Sequence, residues 1–124
     1  MRILLVEDNE MNRALVRAIL ARTAEQRLHG TELVEAENVA AARAALAGRE
    51  FDLILLDVHL PDGSGLAIAQ EVRDRGTGPP VVALTAAALP REQAAALDAG
   101  CDTFLAKPYT SSELVDTIVK LLPA

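Results

Sequence analysis

Aromatic residues are almost missing from this sequence: Phe51, Phe104 and Tyr109 are all there are, and there is no tryptophan. No platform exists on which nucleic-acid bases could stack. Acidic residues outnumber basic ones by 18 to 12, and the net charge of −6 lacks the basic face that a phosphate-backbone binder carries. Long hydrophobic runs are also missing. No apolar stretch approaches the roughly 18 residues of a membrane span, although 51% of the chain is hydrophobic. No basic-then-apolar leader opens the chain, so a cytoplasmic protein without membrane contact is expected. One cysteine, Cys101, excludes an internal disulfide and reads as a small buried residue before a strand. Only two of the basic residues are lysines, Lys107 and Lys120, so the setting of Lys107 is informative.

At 124 residues the chain has room for one core, and a single domain over 1–124 is expected. Arg2–Val6 is a short apolar strand, and residues 10–22 form a helix with Met11, Leu15, Ala18 and Ile19 at helical spacing. Thr31–Ala36 is a more polar edge strand, followed by an Ala-rich helix from Val39 to Ala47 capped by Asn38. Leu53–Leu56 is a buried strand that stops on Asp57. A helix over 66–74 follows the turn Asp62-Gly-Ser-Gly65. Pro80–Leu84 is a fourth strand, and Pro90 opens a helix that Gly100 closes. Thr103–Ala106 is a fifth strand, and Thr110-Ser-Ser-Glu113 is a capping box for a last helix. Five mostly apolar strands alternating with five helices predict an α/β fold: a doubly wound, flavodoxin-like parallel sheet of order 2-1-3-4-5.

In such a sheet, ligands bind beyond the carboxyl ends of the strands, where the order reverses. Strand one ends in Glu7-Asp8, strand three in Asp57, strand four in Thr85 and strand five in Lys107-Pro108. Each has an ordinary explanation alone: Asp8 or Asn9 caps a helix, Thr85 caps a turn, Lys107 is a solvated charge. Together they point to chemistry. Carboxylates converging in one crevice raise one another's pKa unless a cation is present, and two carboxylates, a loop carbonyl and waters suit Mg²⁺. His29 and His59 have no ligand spacing for zinc. A lysine and Mg²⁺ beside a hydroxyl match the needs of a transferring phosphoryl group. Asp57 can be its acceptor, since carboxylates form acyl phosphates, with Thr85 donating to a phosphoryl oxygen.

V-E-D-N follows the first strand, DVHLPDGSG from Asp57 fits D-x-x-[LM]-P-x-x-x-G, Thr85-Ala86 ends strand four, and Phe104-Leu-Ala-Lys107-Pro108 fits aromatic-x-x-Lys-Pro. These motifs in this order resemble the response-regulator receiver domains of two-component signalling, over essentially the whole chain. The resemblance implies Mg²⁺ on Asp8, Asp57 and the His59 backbone carbonyl, with Glu7 supporting the metal or its waters. It also implies a backbone contact from Ala86 to the phosphoryl group, and Thr85 and Phe104 as a switch pair. The expected partners are a histidine kinase or histidine phosphotransfer protein and a downstream protein effector. The chemistry is self-directed phosphotransfer and autodephosphorylation rather than turnover of a foreign substrate. The switched surface is expected on helix four, strand five and helix five, with Val115 and Val119 outward. The residues from Met1 to just past the last helix suit a stand-alone regulator; a receiver module of a hybrid histidine kinase is the alternative.

Two features depart from the family pattern: a longer segment over 23–30, and Val39 where many members have glycine. Three further readings compete, the first and last of them on the same fold. A flavodoxin-like cofactor carrier would meet repulsion between its phosphate and Glu7-Asp8, a phosphatase would need a further acid or base, and an unphosphorylated interaction module would not need all five polar groups.

Overall fold

The computed structural model describes residues 1–76, 78–86 and 89–122, so the last two positions of the expected 1–124 domain lie outside the described residues. Strands β1 (Arg2–Val6), β2 (Glu32–Ala36), β3 (Leu53–Asp57), β4 (Val81–Thr85) and β5 (Thr103–Ala106) pair in parallel in the order β2-β1-β3-β4-β5. This is the expected order. Helices α1 (Glu10–Arg22), α2 (Val39–Gly48), α3 (Leu66–Asp74), α4 (Pro90–Asp98) and α5 (Ser111–Leu121) provide the crossovers. Both β3 and β4 run one residue further than expected, so Asp57 and Thr85 belong to the sheet.

Strand alternation divides the core in two. Leu4, Val6, Ile54, Leu56, Val81 and Ala83 face α2, α3 and α4, where Ala42, Ile68 and Ala96 meet them. Ile3, Leu5, Leu53, Leu55, Val82 and Leu84 face α1 and α5 and pack on Val16, Ile19, Leu114 and Ile118. Because β1, β3 and β4 are covered on both faces, almost all their residues are buried, which is why they read as continuous apolar runs. Strand β2, at an edge, keeps Glu32 and Glu35.

The face that α1 buries is only in part the apolar stripe of Met11, Leu15, Ala18 and Ile19. Val16, Ile19 and Leu20 are buried, whereas Met11 is 81% and Leu15 45% exposed. Two stripes share Ile19, and contact with α5 selects the second. Val115 and Val119 are half-buried against the same core layer rather than outward.

Local signals fix the helix ends. Asn9, Asn38 and Thr110 accept the expected capping bonds, and Thr110 with Glu113 completes the capping box. Gly100 takes φ +114 after α4, a conformation that favours glycine. The longer segment after α1 is ordered as a short 3₁₀ turn over Gln26–Leu28. It is held by buried Leu28 and by His29 Nε2, 2.8 Å from the Thr23 carbonyl oxygen. Cys101 is buried as expected, and burial pushes its thiol pKa up to about 11. No helix among the described residues is long and apolar enough to cross a membrane.

Candidate functional site

The register of the sheet sets the site. Val6 lies opposite Leu56, Asp57 opposite Leu84 and Thr85 opposite Ala106, so the residues at the strand ends, Glu7, Asp57, Thr85 and Lys107, line one rim. The Lys107 amide donates to the Thr85 carbonyl at 2.7 Å and ties the last strand end to its neighbour.

Among the described residues, Glu7, Asp57 and Thr85 are the buried polar ones, at 1%, 8% and 5% exposure. A buried carboxylate requires compensation. Lys107 Nζ donates to Glu7 Oε2 at 2.7 Å and to Asp57 Oδ2 at 3.2 Å, so this lysine is not a solvated charge. The other Glu7 oxygen, Oε1, accepts from the Asn9 amide at 3.2 Å and from Asn12 Nδ2 at 3.3 Å. The remaining Asp57 oxygen, Oδ1, accepts from the His59 amide at 3.2 Å.

The two buried carboxyls are driven apart. At Glu7, burial alone would raise the pKa, but the Lys107 hydrogen bond and charge, with Asn12 and Asn9, outweigh it and lower the value. At Asp57, burial and the charge of Glu7 together exceed the help from Lys107 and His59, so its pKa is raised. Lys107 itself stays a firm cation, because its two carboxylate partners more than offset its burial. One ammonium thus serves two carboxylates and leaves Asp57 under-compensated.

Asp8 supplies the third acid. One carboxylate oxygen from each of Glu7, Asp8 and Asp57 can be chosen so that all lie within 4.8 Å of one another. Such an oxygen-rich group, open to solvent through exposed Asp8, suits a hard cation that retains part of its water shell. Asn9, not Asp8, caps α1, which leaves the Asp8 carboxylate available.

Past Asp57 the chain makes a two-stranded hairpin, His59–Leu60 against Gly63–Ser64, which sequence reasoning did not foresee. Its return is fixed by Gly65, whose amide donates to the Val58 carbonyl at 2.8 Å. A Cβ on Gly65 would overlap the Asp57 carbonyl oxygen, so the last glycine of DVHLPDGSG allows the loop to close over the acid. Asp62 was also missed. Its two carboxylate oxygens accept from the Val39 and Ala40 amides at 2.8 and 3.0 Å and bind the loop to the start of α2. The only sequence signal was an Asp in a turn, which does not name a partner 23 residues away.

Ala86 follows Thr85 at the exposed rim. Phe104 is half-buried and packs with the α2–α4 layer, on the side expected from alternation. The expected residues Glu7, Asp8, Asp57 and Lys107 therefore meet in one crevice, with the Thr85 backbone beside them, while Phe104 lies on the opposite side of β5.

Residues 3–119 match the response regulator receiver domain family. Response regulator protein PmrA of Pseudomonas aeruginosa is 40% identical over 92% of this chain and 49% of its own length. Sensor histidine kinase GacS of Pseudomonas protegens is 32% identical over 96% of this chain but only 13% of the kinase. The chain therefore spans about half, or much less, of these relatives. Among solved structures, the receiver domain of sensor histidine kinase PA1611 from P. aeruginosa PAO1, with a magnesium ion coordinated in its active-site cleft, is similar over 97% of this chain and 95% of that one. The TM-score is 0.81 at 32% identity. With an acid-lined crevice at the end of a 2-1-3-4-5 sheet and a family match spanning nearly all its residues, the chain belongs to the response regulator receiver domains of two-component signalling.

Proposed function

We propose that the chain is a phosphoacceptor: Asp57 takes a phosphoryl group from a phosphohistidine donor in a Mg²⁺-dependent reaction, and the resulting acyl phosphate changes a protein-binding surface. One observation carries this reading. Asp57 is a buried carboxylate whose Oδ2 lies 3.2 Å from Lys107 Nζ, within a three-acid group able to hold a cation. The magnesium ion in the related PA1611 receiver supports the choice of metal.

In the transfer, a new bond forms between an Asp57 carboxylate oxygen and phosphorus while the donor's N–P bond breaks, and the departing imidazole takes up a proton from solvent. Asp8, Asp57 and the His59 carbonyl would hold the Mg²⁺, with Glu7 on its waters; the ion supplies charge neutralisation of the phosphoryl oxygens. Lys107 answers the charge from the other side, exchanging its contact with Asp57 Oδ2 for one with a phosphoryl oxygen. The Thr85 hydroxyl and the Ala86 amide complete the set of donors. Such a step needs positioning and charge far more than acid–base chemistry.

The surface that changes is assigned to α4, β5 and α5. Thr85 shifts towards the phosphoryl group, and Phe104 rotates into the space it vacates. Leu89, just before α4, and Leu97 within it, 49% and 45% exposed, give a protein effector apolar surface to bury. The donor is a histidine kinase or a histidine phosphotransfer protein. The chain is assigned to a stand-alone regulator, with a receiver module of a hybrid histidine kinase as the alternative; the match to 13% of the length of sensor histidine kinase GacS is compatible with that alternative. Residues 1–124 are assigned to one receiver domain in either case.

Transfer from a radiolabelled phosphohistidine donor tests the proposal: the label should move to the wild-type chain in Mg²⁺ and not to Asp57→Asn. Undiminished labelling of Asp57→Asn would contradict it.

A further inference from the structure

Glu7 is held by its carboxylate and also by its backbone. Beyond the last paired residues of β1 and β2, Val6 and Ala36, Arg13 Nη1 donates to the Glu7 carbonyl oxygen at 2.8 Å. The same guanidinium reaches Glu10 Oε2 at 2.6 Å through Nη2 and Glu35 Oε1 at 3.3 Å through Nε. Its side chain is only 13% exposed. Its neighbour Asn12 takes Glu7 Oε1. Two consecutive residues in the first turns of α1 thus grip one acid by main chain and side chain.

The consequence passes to Asp8. A peptide unit is planar, so fixing the Glu7 carbonyl also fixes the plane that contains the Asp8 amide, and with it the direction in which Asp8 leaves β1. The exposed Asp8 carboxylate makes no side-chain hydrogen bond among the described residues, so nothing else on the side chain aims it. Arg17 provides an internal comparison. It pairs with the same Glu10 and Glu35 but does not touch Glu7.

We propose that Arg13, assisted by Asn12, is the positioning residue of the acidic corner: it orients Glu7 and Asp8 for the divalent cation without touching cation or phosphoryl group. The inference rests on the Mg²⁺ site proposed above. Groups one step removed from a metal orient those that bind it, and losing one commonly costs roughly ten-fold or more in metal affinity.

The test is Mg²⁺ binding to the metal-free chain by calorimetry, with thermal unfolding in chelator to establish that each variant is folded. Arg13→Ala should bind Mg²⁺ about ten-fold more weakly. Its phosphorylation rate by acetyl phosphate at saturating Mg²⁺ should match wild type. Arg13→Lys, which keeps a donor for the carbonyl, should recover part of the affinity, and Arg17→Ala should leave it unchanged. If Arg13→Ala does not fold, Asn12→Ala carries the test, since it frees Glu7 Oε1 and spares the ion-pair network. Wild-type affinity in the folded Arg13 or Asn12 variant, or an equal loss in Arg17→Ala, overturns the inference. A wild-type chain that binds no Mg²⁺ overturns the metal site itself and this inference with it.

Discussion

Lys107 Nζ lies closer to Glu7 Oε2, at 2.7 Å, than to Asp57 Oδ2, at 3.2 Å. The ammonium thus stabilises the supporting acid more firmly than the proposed acceptor. Removing it leaves two buried carboxylates without a counter-charge, their remaining partners being the Asn9 amide and Asn12 on Glu7 and the His59 amide on Asp57, and breaking such a pair costs on the order of 3 kcal/mol. Lys107→Ala should lose about that much stability in urea unfolding without metal, and Mg²⁺ should restore part of it. Phosphate acceptance should suffer less than signalling, because the metal still neutralises charge. Unchanged stability in chelator would show that the lysine is not needed to balance the acids.

Gly65 yields a steric prediction. Its φ of −59° is open to any residue, so a substitution is resisted only by the Asp57 carbonyl oxygen and by Leu56 Cδ1 at 3.2 Å. Gly65→Ala should destabilise the fold by about 2 kcal/mol, as overpacking does, and slow phosphorylation by displacing the strand end. A variant with wild-type unfolding and phosphorylation would mean that the loop relaxes freely.

Asp62 links the acceptor loop to α2 and sets a pH dependence. The hydrogen bond from the Val39 amide, with that from Ala40, holds its carboxyl below the ordinary value, and these bonds outweigh the opposing effect of burial. Its contribution to stability is therefore fully present above 3.8 and is lost as pH falls through the lower folded value. Asp62→Ala should unfold more easily than wild type at neutral pH, with the gap closing in strong acid. A gap independent of pH would point to packing instead.

The order of strands and the acidic crevice were legible because they depend on local signals. Continuous apolar runs ending in Glu7-Asp8, Asp57, Thr85 and Lys107 place those residues on one rim once the sheet is parallel. What could not be read depends on contacts between distant segments. The α1 stripe containing Met11 and Leu15 has the same period as the one containing Val16 and Leu20, and only docking on α5 distinguishes them. Asp62 on α2 is likewise a contact between separate segments, whereas Arg13 on the Glu7 carbonyl is local, a polar partnership that no spacing rule connects.

Phe104 tests how a signal leaves the site. Phosphorylation can shift a two-state equilibrium only by its differential affinity for the two states. Beryllofluoride with Mg²⁺, a phosphoryl mimic, should change amide exchange across α4 and β5 in the wild-type chain. In Phe104→Ala that change should be largely lost while the mimic still binds. An identical exchange response in the variant would place the output elsewhere, with exposed Met11 and Leu15 on α1 as the next surface to examine.

The central claim is that Asp57 alone accepts the phosphoryl group and that the reaction needs a divalent cation. Intact mass after incubation with acetyl phosphate tests it most directly. A single phosphoryl adduct should form on the wild-type chain in Mg²⁺, and none on Asp57→Asn or on the wild type in excess chelator. A persistent adduct on Asp57→Asn, or full labelling of the wild type without the metal, would contradict the account.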